Sequence, residues 1–335
     1  RVKPGVFITV DVECSMGGAW ADDTLRPVPP ARAVMGACGD RQLGLPRICK
    51  ILGEADLAAT FFVEPFADEQ GHPGEMERPC GFLAGHGHDV QLHVHPNHWH
   101  YGLKQQGRPF RRTDCFAECE PDEQRFLLDE GCDRLERWTG RRAVAFRAGN
   151  MAASEKSLEH LAAAGIRIDS SYTFPYAGGQ CRFRPGEPYN GSRWYGEVLE
   201  VALSGFTQAP FPGLHRAKPL DVGGISFAEM RDAILRITEA GADACLILHS
   251  FSLFKVRDVQ YNGGRPDRIV TRRFRRLCEW LAERRGAVPV YTFSDLARAV
   301  DEGTYEARSA PPPRLSLGRA LVRKAVQAYD NLYWT

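Results

Sequence analysis

Six of the ten histidines fall between His86 and His100, five of them within His88-Asp89-Val90-Gln91-Leu92-His93-Val94-His95-Pro96-Asn97-His98-Trp99-His100. Val90 and Leu92 alternate with Gln91 and His93, the period of a strand. Side chains two apart on a strand share a face, so His93 and His95 converge on one point, about 7 Å apart at Cα. Two imidazoles so placed can share a metal ion. Pro96 lacks the N–H that a ladder needs, so the strand is expected to stop there, with the pair at its carboxyl end. Histidine runs also lie on solvated loops that bind nothing, so the rest of the chain must decide.

Other strand patterns end in polar chemistry too. Val6 to Val12 (VFITVDV) reads as a buried strand and delivers Asp11 and Glu13, again two apart on one face. Two carboxylates at the end of an apolar strand are costly unless paired or bound to a cation. Ala143 to Phe146 is a strand that leads into Arg147-Ala148-Gly149-Asn150, and Ala244 to Leu248 one that leads into His249-Ser250. Further strands are expected at Ala58–Val63, Ile166–Ile168, Val198–Leu203 and Val288–Phe293. Helical spacing stands between them at Leu43–Ala55, Glu75–Ala84, Pro121–Trp138, Ser154–Ala164, Ser226–Ala240, Thr271–Arg285 and Ser294–Val300. Residues 17–40 and 101–120 read as irregular, and the arginines of the 271–285 helix as a solvated face.

Alternating strands and helices predict an α/β fold with a parallel sheet, and in a (β/α) barrel the carboxyl ends of the strands form one face. Asp11, Glu13, His93, His95, Arg147 and His249 would then meet. A carboxylate and two imidazoles make a catalytic divalent site, zinc first, with a position left for water. The second acid can serve as base and the distant histidine as acid, while an arginine beside the base keeps it ionised and oriented.

With these residues together, the chain resembles the polysaccharide deacetylase family, the NodB-homology domains of carbohydrate esterase family 4, over roughly residues 5–300. Val10-Asp11-Val12-Glu13 resembles the family's first motif, Gly87-His88-Asp89-Val90-Gln91-Leu92-His93 the lead-in to its second, Arg147-Ala148-Gly149-Asn150 its third, and Leu246-Ile247-Leu248-His249 its late L-x-L-H motif. The resemblance implies a distorted (β/α)7-type barrel over residues 1–310, one divalent metal ion on Glu13, His93 and a second histidine, Asp11 as base, Arg147 beside it and His249 as acid. It also implies an acetylated amino sugar or polysaccharide as substrate. Trp99, Asn150 and Tyr172 are the candidates for meeting that substrate. The family's acids are adjacent, whereas here Val12 separates them. Its two metal histidines lie four apart, whereas four after His93 stands Asn97. The shared strand face selects His95 as the second ligand, with His98 as the alternative. Both departures point to a divergent branch.

Composition narrows the rest. The 335 residues are 43% hydrophobic and 25% charged, with net charge +1, which gives no argument for nucleic acid. No apolar run of about 18 residues spans a membrane. Ten scattered cysteines, several in apolar runs, read as reduced, and Cys115 and Cys119, one helical turn apart, as unlinked. With no visible signal peptide, a cytoplasmic protein is expected. Aromatic residues crowd residues 172–197, some for the loop's own core and some for a sugar face. Pro311-Pro312-Pro313 marks a linker. Beyond it, residues 311–335 carry Leu317, Leu321, Val322, Ala325, Tyr329 and Leu332 at helical spacing, with Arg319, Arg323 and Lys324 opposite. This amphipathic helix could dock on the body, on a partner or on a membrane surface.

The leading expectation is a metal-dependent hydrolase that removes N-acetyl groups. The alternatives are a hydrolase of another non-peptide amide, such as a cyclic one, and an inactive metal- or sugar-binding module of a polysaccharide assembly.

Overall fold

The computed structural model describes residues 2–70, 72–212 and 215–332, apart from the side chains of residues 70 and 329–332. The side chains of Tyr329 and Leu332 of the tail pattern, and residues 333–335, therefore lie outside the described part.

Seven parallel strands form the body of one curled sheet. In spatial order they are Ala244–His249 (β8), Val6–Val12 (β1), Thr60–Val63 (β2), Asp89–Val94 (β3), Ala145–Ala148 (β4), Ile168–Asp169 (β5) and Val198–Val201 (β7). Asn190–Tyr195 (β6) runs antiparallel along the outer edge of β7. The sheet does not close through a strand ladder. Residues 204 and 220–222 lie across the gap instead: Ser204 N–H donates to the Cys245 carbonyl, Ile247 N–H to the Leu220 carbonyl and Val222 N–H to the Ile247 carbonyl. This is the distortion in the expected barrel.

Alternation along β1 shows how the sequence divides the layers. Val6, Ile8, Val10 and Val12 join the large core under the helices, while Phe7 joins a second cluster with Phe62, Cys245 and Phe293. Burying each such side chain contributes about 1.5–3 kcal/mol. Phe7, Thr9 and Asp11 share the opposite face of the strand. That face therefore runs from apolar at the amino end to polar at the carboxyl end. Parallel register sets Asp11 beside His249 and His93 beside Arg147.

The helices lie where their periodicity places them, with small shifts. They are Leu45–Glu54 (α1), Glu77–Gly85 (α2), Pro96–Gln105 (α3), Pro121–Thr139 (α4), Glu155–Ala163 (α5), Phe227–Glu239 (α6), Arg268–Glu283 (α7), Phe293–Asp301 (α8) and Leu317–Leu332 (α9). Ser226 opens α6 with a capping box through Glu229, and Asp267 caps α7 by accepting from Val270 N–H. Four expectations change. Helix α3 stands where irregular chain was expected. Residues 30–33 form a short helix within the 17–40 loop. Of the expected last strand only Val290–Tyr291 pairs, beside β1, because Thr292 already caps α8. Arg273 turns inward from α7 to donate to the carbonyls of Val222 and Gly223, so the arginine run is not wholly solvated.

Candidate active site

His93 and His95 do not belong to one strand. Strand β3 ends at Val94, and His95 is the N-cap of α3. Pro96 therefore starts a helix rather than only stopping a strand, since the first helical position has no use for an N–H. Both rings still meet at Glu13. Its Oε2 lies 3.1 Å from His93 Nε2 and 2.6 Å from His95 Nε2. One ligand atom from each of the three residues falls within 4.8 Å of the others. His98 lies buried on α3 with Nε2 4.0 Å from Glu64 Oε2, so the second imidazole at Glu13 is His95.

Hydrogen bonding fixes the tautomers. His93 Nδ1 donates to the Arg147 carbonyl at 2.8 Å. His95 Nδ1 faces the Asp114 carboxylate at 2.9 Å, again a group that only accepts. The neutral rings thus present two bare Nε2 lone pairs to one carboxylate oxygen, a repulsive arrangement unless a proton or a cation stands between them. Burial would lower the His95 imidazole, but Asp114 and Glu13 outweigh it and hold it well above the ordinary value. Burial would likewise raise Glu13, and His95 and His93 hold it well below the usual carboxylate range. A histidine whose other nitrogen is tied to a carboxylate or carbonyl is the usual form of a metal ligand. The donor set fits a divalent cation.

Arg147 lies inside β4, fully buried, one residue deeper than the sequence placed it. Nη1 donates to Asp11 Oδ1 at 2.7 Å and to Thr9 Oγ1 at 2.8 Å, Nη2 to Ser170 Oγ at 2.9 Å, and the guanidinium covers Phe62 at 4.2 Å. Asp11 Oδ2 stays 3.8 Å from His93 Nε2. The third motif also explains its own glycine and asparagine. A Cβ on Gly149 would stand 2.4 Å from His95 Nδ1. Asn150 takes φ 55, which Asn tolerates, and donates to Asp114 Oδ2 at 2.7 Å.

A cavity of about 200 Å³ opens over these groups, bordered by Asp11, Glu13, His95, Asn150, Tyr176, Asp221 and His249. The His249 ring stacks on Phe251 and sets Nε2 4.0 Å from Glu13 Oε1. Two residues expected at the substrate are elsewhere. Tyr172 is 1% exposed, stacked on Tyr189 in the loop's own core, and Trp99 packs between Phe66 and Phe126. Tyr176, 42% exposed, lies at the cavity rim. Asp114 and Asp221 were also missed. Asp114 lies in a stretch read as irregular, and only Asn150, itself singled out, leads to it.

His100, Cys119 and Glu123 form a second close group. Arg111 N–H donates to His100 Nδ1, which puts the imidazole proton on Nε2, 2.9 Å from Glu123 Oε1. The Arg111 guanidinium fills Glu123 Oε2 at 2.6 Å. This cluster is a polar clip across the segment that carries Asp114, and not a cation site. No disulfide joins Cys115 to Cys119.

No family model matches the chain, and no curated protein matches it in sequence. Among solved structures, a candidate polysaccharide deacetylase from Mycobacterium smegmatis matches 92% of this chain and 94% of its own at 18% identity, with a TM-score of 0.51. A family 4 carbohydrate esterase from Streptomyces lividans in complex with acetate matches over 87% and 93% at 10% identity, TM-score 0.42. A CE4-family pseudoenzyme from Bacillus anthracis matches over 88% and 65% at 13% identity, TM-score 0.44. The chain has the polysaccharide-deacetylase type of (β/α) barrel, and at such identities the likeness speaks for the fold alone.

Proposed function

We propose that this barrel is a metal-dependent hydrolase that removes the N-acetyl group of an acetylated amino sugar or polysaccharide. The observation that carries the reading is the convergence of His93 Nε2 and His95 Nε2 on Glu13 Oε2, with both Nδ1 protons already committed. Glu13, His93 and His95 would hold one divalent cation, zinc first from its nitrogen and carboxylate donors. When bound, such a cation polarises an acyl oxygen and acidifies water.

The remaining residues supply binding and proton transfer. Asp11, beside the three ligands, takes the proton of the attacking water through Oδ2, because Arg147 occupies Oδ1. His249, the neighbour of Asp11 in the sheet register, delivers a proton to the departing nitrogen. The cavity is small enough to select a short acyl group, and Tyr176 offers an aromatic face at its rim, where a sugar ring can lie.

Metal analysis combined with acetate release from acetylated amino sugars tests this. Native protein is expected to hold about one divalent ion per chain, and His93→Ala to lose both ion and turnover. Full metal retention in His93→Ala sinks the site. A metal-loaded protein that opens the ring of cyclic amides, and releases no acetate from acetylated sugars, moves the reading to the other amides. A metal-loaded protein inert on both supports a binding module.

A further inference from the structure

The tail helix α9 is docked with its polar side inward. Arg323, 3% exposed, donates to Glu229 Oε1 at 2.6 Å, and Gln327 Nε2 to the Gly224 carbonyl at 3.0 Å. Ala320 lies on the same side and is fully buried. The opposite arc is apolar and open: Leu321 is 44% exposed, Val322 62% and Val326 37%, with Ala325 exposed between them. An amphipathic helix on a globular body normally does the reverse.

Cations flank the arc. Arg272 and Arg276 of α7 line a groove of about 600 Å³ beside Val326. Arg276 also covers Phe227 at 4.5 Å and lines the neighbouring groove beside Val322. Lys324 stands exposed on the other flank. Among the described residues, Arg272, Arg276 and Lys324 have no carboxylate partner. Arg231 and Arg319 share Asp232.

We propose that this face is a peripheral docking surface for an anionic phospholipid membrane. Aliphatic side chains flanked by cations match the boundary between acyl chains and charged headgroups. A second copy fits worse, because a twofold contact would set the same cationic rim against itself. No helix among the described residues is long and apolar enough to cross a membrane, so the contact is one of lying on the surface. The proposal does not depend on the hydrolase reading.

Sedimentation of the full chain with vesicles tests it, using phosphatidylcholine alone and phosphatidylcholine mixed with an equal amount of phosphatidylglycerol. Binding to the mixed vesicles only, weakened by salt, is expected. Basic residues near an anionic surface contribute about fivefold each, so Arg272→Gln with Arg276→Gln should reduce partition about thirtyfold. Val322→Asp should also reduce it, with each variant's thermal melt confirming its fold. Equal partition to both vesicle types, no partition to either, or unchanged partition in Val322→Asp overturns the proposal. So does a concentration-dependent dimer that Val322→Asp dissolves.

Discussion

Arg147 holds His93 through its backbone and Asp11 through its side chain. The His93 Nδ1–H bond to the Arg147 carbonyl is 2.8 Å, and the guanidinium bond to Asp11 is 2.7 Å. Both partners are buried, so neither contact competes with water. Removing one member of a buried ion pair costs about 3–5 kcal/mol, because the other charge is left unpaired. Arg147→Ala should therefore lower the unfolding free energy read from urea denaturation by that amount. Adding Asp11→Asn to it should restore part of the loss. An additive double variant would show that the two groups are not coupled.

His95 depends on groups that are not ligands. Asp114 holds its Nδ1, and Gly149 leaves room for its ring. Loss of such a supporting partner typically weakens metal affinity about 10–100-fold. Asp114→Asn and Gly149→Ala should both do so in a chelator competition, with His93→Ala as the reference for complete loss. Wild-type affinity in both variants would mean that another residue positions the ring.

On the proposed reading, Asp11 and His249 transfer protons without holding the ion. Asp11→Asn and His249→Ala should each lower turnover by about 10²–10⁴, with the ion retained. The His249→Ala deficit should shrink on acyl substrates whose leaving group needs no proton. A deficit independent of the leaving group would give His249 a binding role, and loss of the ion from Asp11→Asn would make Asp11 a ligand.

Acid should loosen the clip around Asp114. Burial would raise the Glu123 carboxyl, but His100 and Arg111 outweigh it and hold it down to about 2, against an ordinary 4.5. A carboxyl depressed on folding adds stability above its unfolded pKa, and that stability fades as pH falls from about 4.5 toward 2. The melting temperatures of native protein and Glu123→Gln should therefore differ most above pH 4.5 and approach each other below it. A gap that is constant with pH would exclude Glu123 as the titrating group.

Truncation after Ala310 would leave Glu229, 1% exposed, without Arg323 and remove the pairing of Arg314–Leu315 with Thr207–Gln208. The shortened chain should melt at lower temperature while keeping its ion. Loss of the ion as well would make the tail part of the barrel's own core.

Much of this was legible because strand period and burial agree. β1 announces itself as an unbroken apolar run that ends in acids, and parallel connections then bring the distant His249 to Asp11. The choice of His95 over His98 was readable from a shared face, although the real reason is different, with His95 capping a helix. Helix α3 was hidden, since His-Pro-Asn-His-Trp-His has weak helix formers and no clean apolar stripe. Asp114 was hidden because its bond to His95 spans 19 residues and is set by packing. The aromatic loop gave composition without direction: Tyr172 and Tyr176 are equivalent in sequence and opposite in exposure.

The two imidazoles that meet at Glu13 come from different rigid pieces, His93 from the end of a strand and His95 from the start of the next helix, with Val94 as the joint. An ion shared by them would act as a brace across that joint. Loading the site would then set the angle at which α3 leaves the sheet, and emptying it would let strand and helix swing independently. Amide exchange along residues 94–100 would report occupancy of the centre without any substrate present.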